Sequence, residues 1–117
     1  MSNIYNLFKF LEKKKGTKTP FNAKLLYAPE ELTDEDLNVE GDLSLSYTPI
    51  TSLPDNLKVR GDLDLSHTNI TSLPDNLQVG GILYIYDTPF SFNAFTDEEI
   101  KKMIEDKGGY VKGRIYV

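Results

Sequence analysis

The segment Val39–Lys58 is followed immediately by Val59–Gln78, and the two match at most positions with a fixed step of 20 residues. A third unit opens at Val79 with the same spacing and leaves the pattern after Phe90. The chain returns to it once more over Val111–Val117, and residues 34–39 read as the degenerate tail of a preceding unit. A period this short restricts the architecture severely, because one 20-residue unit holds too few apolar side chains to form a core by itself. Units of this kind become stable only when neighbours stack and share one apolar interior.

Within each unit the motif Gly-Asp-Leu-x-Leu-x alternates apolar and polar residues, the pattern of a strand buried on one face. Leu43 and Leu45, Leu63 and Leu65, Leu83 and Ile85, and Ile115 and Val117 are therefore expected to point inward. Gly41, Gly61, Gly81 and Gly113 mark the entry to each strand, a place for tight backbone approach or positive φ. The returning arm Leu-Pro-Asp-Asn-Leu adds two inward leucines around a proline-fixed turn. The expected fold class is an α+β solenoid with one parallel strand per coil, four strands in all, over a single domain of residues 1–117. Residues 1–36 form its N-terminal cap, 37–90 the repeats and 91–117 the C-terminal cap.

The repeat Gly-Asp-Leu-x-Leu-x-x-Thr-x-Ile-x-x-Leu-Pro-x-x-Leu resembles the short bacterial class of leucine-rich repeat, above all that of tailed-phage proteins. The likeness covers residues 37–90, and 111–117 resembles the closing strand of such proteins. It implies a leucine-rich-repeat scaffold that acts by binding another protein without catalysis. By the same analogy the partner is a bacterial host or defence protein, inhibited by the binding, and the location is the cytoplasm of the bacterium.

Both ends of a solenoid need covering. The step from Val79 to Val111 is 32 residues, one period plus an insertion of 12. Within the insertion Thr96 and Glu99 have the spacing of a capping box, with Phe95 and Ile100 placed as a hydrophobic staple. Ile100, Met103 and Ile104 share one face, and Gly108-Gly109 stops the helix, which is expected over 97–107. At the other end Ile4, Leu7, Phe8 and Leu11 recur at helical spacing, so a helix over 3–15 is expected to cover the first coil.

Composition removes several chemistries. No cysteine is present, so disulfides and thiolate sites are excluded, and the single histidine excludes a two-histidine mechanism. No apolar run approaches the roughly 20 residues of a membrane span, and Lys9 interrupts the apolar N-terminal stretch that a signal peptide would need. The net charge of −5 is unevenly spread: residues 1–24 sum to +5, 25–66 to −8 and 67–117 to −2. An acidic chain of this kind argues against direct nucleic-acid binding, and Lys13-Lys14-Lys15 reads as a helix C-terminus.

The residues that carry chemistry elsewhere read here as structural. Thr48, Thr68 and Thr88 form a ladder whose hydroxyls reach backbone groups at the turn, and Asp55-Asn56 and Asp75-Asn76 are turn formers. Asp42, Asp62 and Asp64 lack the alternating loop that gives calcium its six or more oxygens. His67 has no serine or acid in triad order around it and reads as a solvated loop residue. Gly80-Gly81 is a turn, since no Gly-Lys-Ser follows it. No catalytic residue, metal site or cofactor is expected.

The outward strand positions carry the functional reading. They run from Asp42, Ser44 and Ser46 through Asp62, Asp64 and Ser66 to Ile82, Tyr84 and Tyr86, and end at Arg114 and Tyr116. The face thus changes from small and acidic to apolar and aromatic. Exposed tyrosines are frequent binding anchors, so a protein partner is expected on Tyr84, Tyr86 and Tyr116, flanked by Ile82, Arg114, Asp42, Asp62 and Asp64. Two other readings compete. The acidic segment could act as a decoy for the nucleic-acid site of a host protein, or the acidic strand face could process carbohydrate.

Overall fold

The computed structural model describes residues 21–117, so the helix expected over 3–15 lies outside the described residues. The chain divides into two units between Asp36 and Leu37.

In the first unit, helix α1 (Phe21–Tyr27) runs up to Ala28 and gives way to a short 3-10 turn at Pro29–Glu31. Pro29 disfavours helical geometry at the residue before it, which places the end of α1. Ala23 and Ala28 are buried. Lys24 donates to Asp36 at 2.9 Å, and the Thr33 amide donates to the same carboxylate at 3.0 Å. Partial burial works against ionisation of Asp36, but the Thr33 amide, the Lys24 ammonium and the Thr33 hydroxyl outweigh it and hold the carboxyl below its usual value.

The second unit corrects the expected strand count. Each repeat contributes two strands, each of two residues, and eight strands form two separate parallel sheets. The first sheet contains β1 (Asn38–Val39), β3 (Lys58–Val59), β5 (Gln78–Val79) and β7 (Tyr110–Val111). The second contains β2 (Leu43–Ser44), β4 (Leu63–Asp64), β6 (Leu83–Tyr84) and β8 (Ile115–Tyr116). The register holds Val39, Val59, Val79 and Val111 in one row and Leu43, Leu63, Leu83 and Ile115 in another. The extra strands arise because the residues leading into each Gly-Asp-Leu motif are extended and hydrogen-bond onward. The amides of Lys58 and Arg60 donate to Leu37 and Val39, and those of Gln78 and Gly80 donate to Leu57 and Val59.

All the strand residues expected to point inward are buried except Val117, which is half-buried. Ile70, Leu57 and Leu77 from the segments between the strands, with Val79 from β5, complete the interior, each with no exposed surface. The threonine ladder donates to the backbone: Thr68 to the Leu65 carbonyl at 2.7 Å and Thr88 to that of Ile85 at 3.0 Å. Asn56 and Asn76 take left-handed conformations at φ 66° and 59°, as turn formers of this type do. Glycines 61, 81 and 113 enter their strands without positive φ, and close approach to the preceding repeat explains them: a Cβ there would meet Asp42, Asp62 and Gly81 respectively.

The insertion before the last strands holds two helices, where one is expected. Helix α2 (Pro89–Phe92) is the unexpected one. It starts at proline, whose fixed φ suits the first helical position. Helix α3 (Asp97–Asp106) matches the expected span to within a residue, with Lys107 as its C-cap. Glu99 donates its amide to Thr96 Oγ1 at 3.1 Å, and its carboxylate accepts from the Thr96 amide at 2.9 Å. The helix ends on Gly108 at φ 87°, with the Gly108 amide on Glu105 and the Gly109 amide on Ile104. Phe95 meets Phe90 edge-on at 5.5 Å and so ties the two helices together.

Candidate functional site

The outer face of the second sheet brings Tyr84, Tyr86 and Tyr116 together. Strand pairing sets Tyr84 beside Tyr116, and their rings stack with centroids 5.6 Å apart. Tyr86 reaches both, at 6.3 Å from Tyr84 and 6.2 Å from Tyr116. Tyr84 and Tyr116 are half-buried, and Tyr86 is 44% exposed. Partial burial pushes the Tyr84 phenol above its ordinary value, and the Asp62 carboxylate, Tyr116, Tyr86 and Asp64 add to the shift. Its hydroxyl therefore keeps its proton at physiological pH and can donate a hydrogen bond to a ligand.

Of the flanking residues, Ile82 is half-buried and Arg114 exposed; they immediately precede β6 and β8, and the Leu83 amide donates to the Arg114 carbonyl at 2.9 Å. The aspartates are tied to backbone. Asp42 accepts from the Asp62 amide at 2.7 Å, and Asp62 in turn accepts from the Ile82 amide at 2.8 Å. Asp64 accepts from the Ser66 amide at 2.9 Å. Asp42 is exposed while Asp62 and Asp64 are half-buried, so each carries charge at the surface while holding the strand entry in shape.

A column beside the tyrosines is absent from the sequence reading. Tyr47, His67 and Asp87 occupy one position in successive repeats, and all three take positive φ, at 61°, 59° and 52°. Such conformations cost a non-glycine residue roughly 1–2 kcal/mol. The Tyr47 and His67 rings stack at 4.4 Å, and His67 Nδ1 donates to Asp87 Oδ2 at 2.8 Å. His67 is thus an exposed loop residue, as expected, but one held between a ring and a carboxylate. Tyr47 is 78% exposed, the most open of the large hydrophobic side chains among the described residues. The signal was available in the 20-residue step from Tyr47 to His67 to Asp87, but three unlike residue types concealed it.

The outer face of the first sheet is a second surface that sequence reasoning passed over. A hollow of about 510 Å³ lies over it, lined by Asn38, Lys58, Val59, Arg60, Gln78, Gly80, Tyr110 and Lys112.

No group of three or more histidines, cysteines and acids is placed to hold a metal ion among the described residues. No described helix is long and apolar enough to cross a membrane. No family model matches the chain, and no curated protein or solved structure matches it significantly.

Proposed function

We propose that this chain is a leucine-rich-repeat-like solenoid in which each 20-residue unit makes one coil, and that it works by binding another protein without catalysis. The observation that carries the reading is the mutual contact of Tyr84, Tyr86 and Tyr116 on an outer sheet face. Tyrosines held in this way lose little side-chain entropy on binding and offer both apolar area and hydroxyl donors. Tyr47 extends the aromatic surface along the next column. The likeness of the repeats to tailed-phage proteins supports a bacterial protein as partner, met in the bacterial cytoplasm and inhibited when bound. The backbone bonds made by Asp42 and Asp62 favour the tyrosine-centred reading over an acidic decoy, because both carboxylates already have work within the fold.

The test is capture from bacterial lysate by the immobilised chain, with the retained protein identified and then titrated in pure form. Tyr84→Ala with Tyr116→Ala is expected to abolish capture without loss of folded structure, since such anchors each contribute about 2 kcal/mol or more. Asp42→Asn, Asp62→Asn and Asp64→Asn together are expected to weaken capture mildly and to flatten its salt dependence. Essential aspartates with dispensable tyrosines would reverse the reading in favour of the decoy.

A further inference from the structure

We propose that the outer face of the first sheet binds a phosphate-bearing anion of di- or triphosphate size. The chain as a whole is acidic, with a net charge of −5. The hollow over β1, β3, β5 and β7 nevertheless has three cations in its lining, Lys58, Arg60 and Lys112, and no carboxylate. Its volume of about 510 Å³ falls within the range of small-molecule sites, roughly 300–1,000 Å³.

The three cations are available for a ligand. No carboxylate pairs with Lys58 or Lys112 among the described residues, and the Lys112 ammonium merely stands 5.8 Å from the centre of the Tyr110 ring. Arg60 meets Glu40 through Nε at 2.8 Å, but both side chains are about 70% exposed, so the pair is weak and the outer guanidinium N–H groups stay free. Glu40, Arg60, Gly80 and Lys112 follow the valine row residue by residue, and the amides of the last three donate to Val39, Val59 and Val79 in turn. Gly80 opens the middle of that series. A Cβ there would run into the Arg60 carbonyl, so close packing of the coils requires glycine, and no side chain separates Arg60 from Lys112.

Tyr110 donates its hydroxyl to Gln78 Oε1 at 3.4 Å, which leaves the Gln78 amide hydrogens to face a ligand. Lys58 on β3 and Lys112, the residue after β7, stand two strand spacings apart across the sheet and two residues apart along it, about 12 Å in all, a gap that flexible lysine side chains close around one compact anion. A di- or triphosphate puts several negative charges and only acceptor oxygens within that span. Carboxylates of an acidic peptide sit on separate side chains about 7 Å apart on one face and lose rotamer freedom when gathered.

The experiment is calorimetric titration of the full chain with pyrophosphate, tripolyphosphate and ATP in magnesium-free buffer at about 50 and about 300 mM salt. Saturable binding of tripolyphosphate and ATP is expected, weaker at the higher salt. Lys58→Gln with Lys112→Gln is expected to weaken it by about tenfold or more while the thermal melt stays that of the parent. Tyr84→Ala with Tyr116→Ala is expected to leave it unchanged, which separates this face from the tyrosine site. Absence of saturable binding to any of the three probes would overturn the proposal, as would an equal affinity in the double-lysine variant. A hexaglutamate peptide or a single-stranded oligonucleotide that binds more tightly than tripolyphosphate would also overturn it, in favour of an acidic protein or a nucleic-acid strand.

Discussion

At Leu65 no side-chain surface reaches solvent, the amide donates to the Tyr84 carbonyl, and the carbonyl accepts from Thr68 at 2.7 Å. Replacing it with alanine removes packing on every side, and coils anchored by neighbouring backbones collapse poorly into the space. Leu65→Ala is expected to cost about 2–5 kcal/mol, a large share of the stability of a domain this size, and urea unfolding followed by circular dichroism measures it. A variant that kept the parent midpoint would show that the residue does not pack as described. Inward leucines of this kind were legible because a period of two and a period of 20 agree on them. The work done by Asp42 and Asp62 was not legible. Their 20-residue spacing was plain, but whether a carboxylate turns outward to solvent or sideways to the next amide depends on the backbone distance between coils. The same is true of Tyr47, whose stacking on His67 depends on both residues taking positive φ.

Among the elements, α3 was the most legible, since cap, box, apolar face and glycine stop all lie within one short stretch of sequence. The Thr96 hydroxyl accepts from the Glu99 amide at 3.1 Å, and the Glu99 carboxylate accepts from the Thr96 amide at 2.9 Å. Thr96→Ala is expected to destabilise the chain by about 1 kcal/mol, and Thr96→Ser to recover most of that, because serine keeps the accepting oxygen. Chemical unfolding of the two variants decides it, and equal losses in both would assign the effect to packing of the threonine methyl. Helix α2 escaped notice because four residues give no helical periodicity, and its start rests on hydroxyls. Thr88 and Ser91 both donate to the Ile85 carbonyl at 3.0 Å. The strands of the first sheet escaped notice for a related reason. Two residues around one valine are too few to show alternation, and pairing with the next repeat is what makes them strands.

For the molecule as a whole, charge summed along the sequence concealed charge arranged in space. Lys58 and Arg60 fall inside the segment of −8, yet the fold lifts them onto the outer face of the first sheet with Lys112, away from Asp42, Asp62 and Asp64 on the second. Parallel stacking also makes each sheet depend on its last strand. Removing 111–117 deletes β8 and half of β7. The amides of Leu83 and Ile85 would lose the carbonyls of Arg114 and Tyr116, and the carbonyls of Val79 and Gly81 would lose the amides of Lys112 and Gly113. Four lost hydrogen bonds at about 1 kcal/mol each, with the burial of Val111 and Ile115 at about 1.5–3 kcal/mol each, approach the stability of a small domain. Leu83 and Ile85 would be uncovered beside an open parallel edge, which invites pairing with another copy. The truncated chain is therefore expected to melt well below the parent and to self-associate, as read by thermal unfolding and light scattering across a concentration series. A truncated chain that stayed monomeric with the parent melting temperature would show that the third repeat closes the sheets without the last strands.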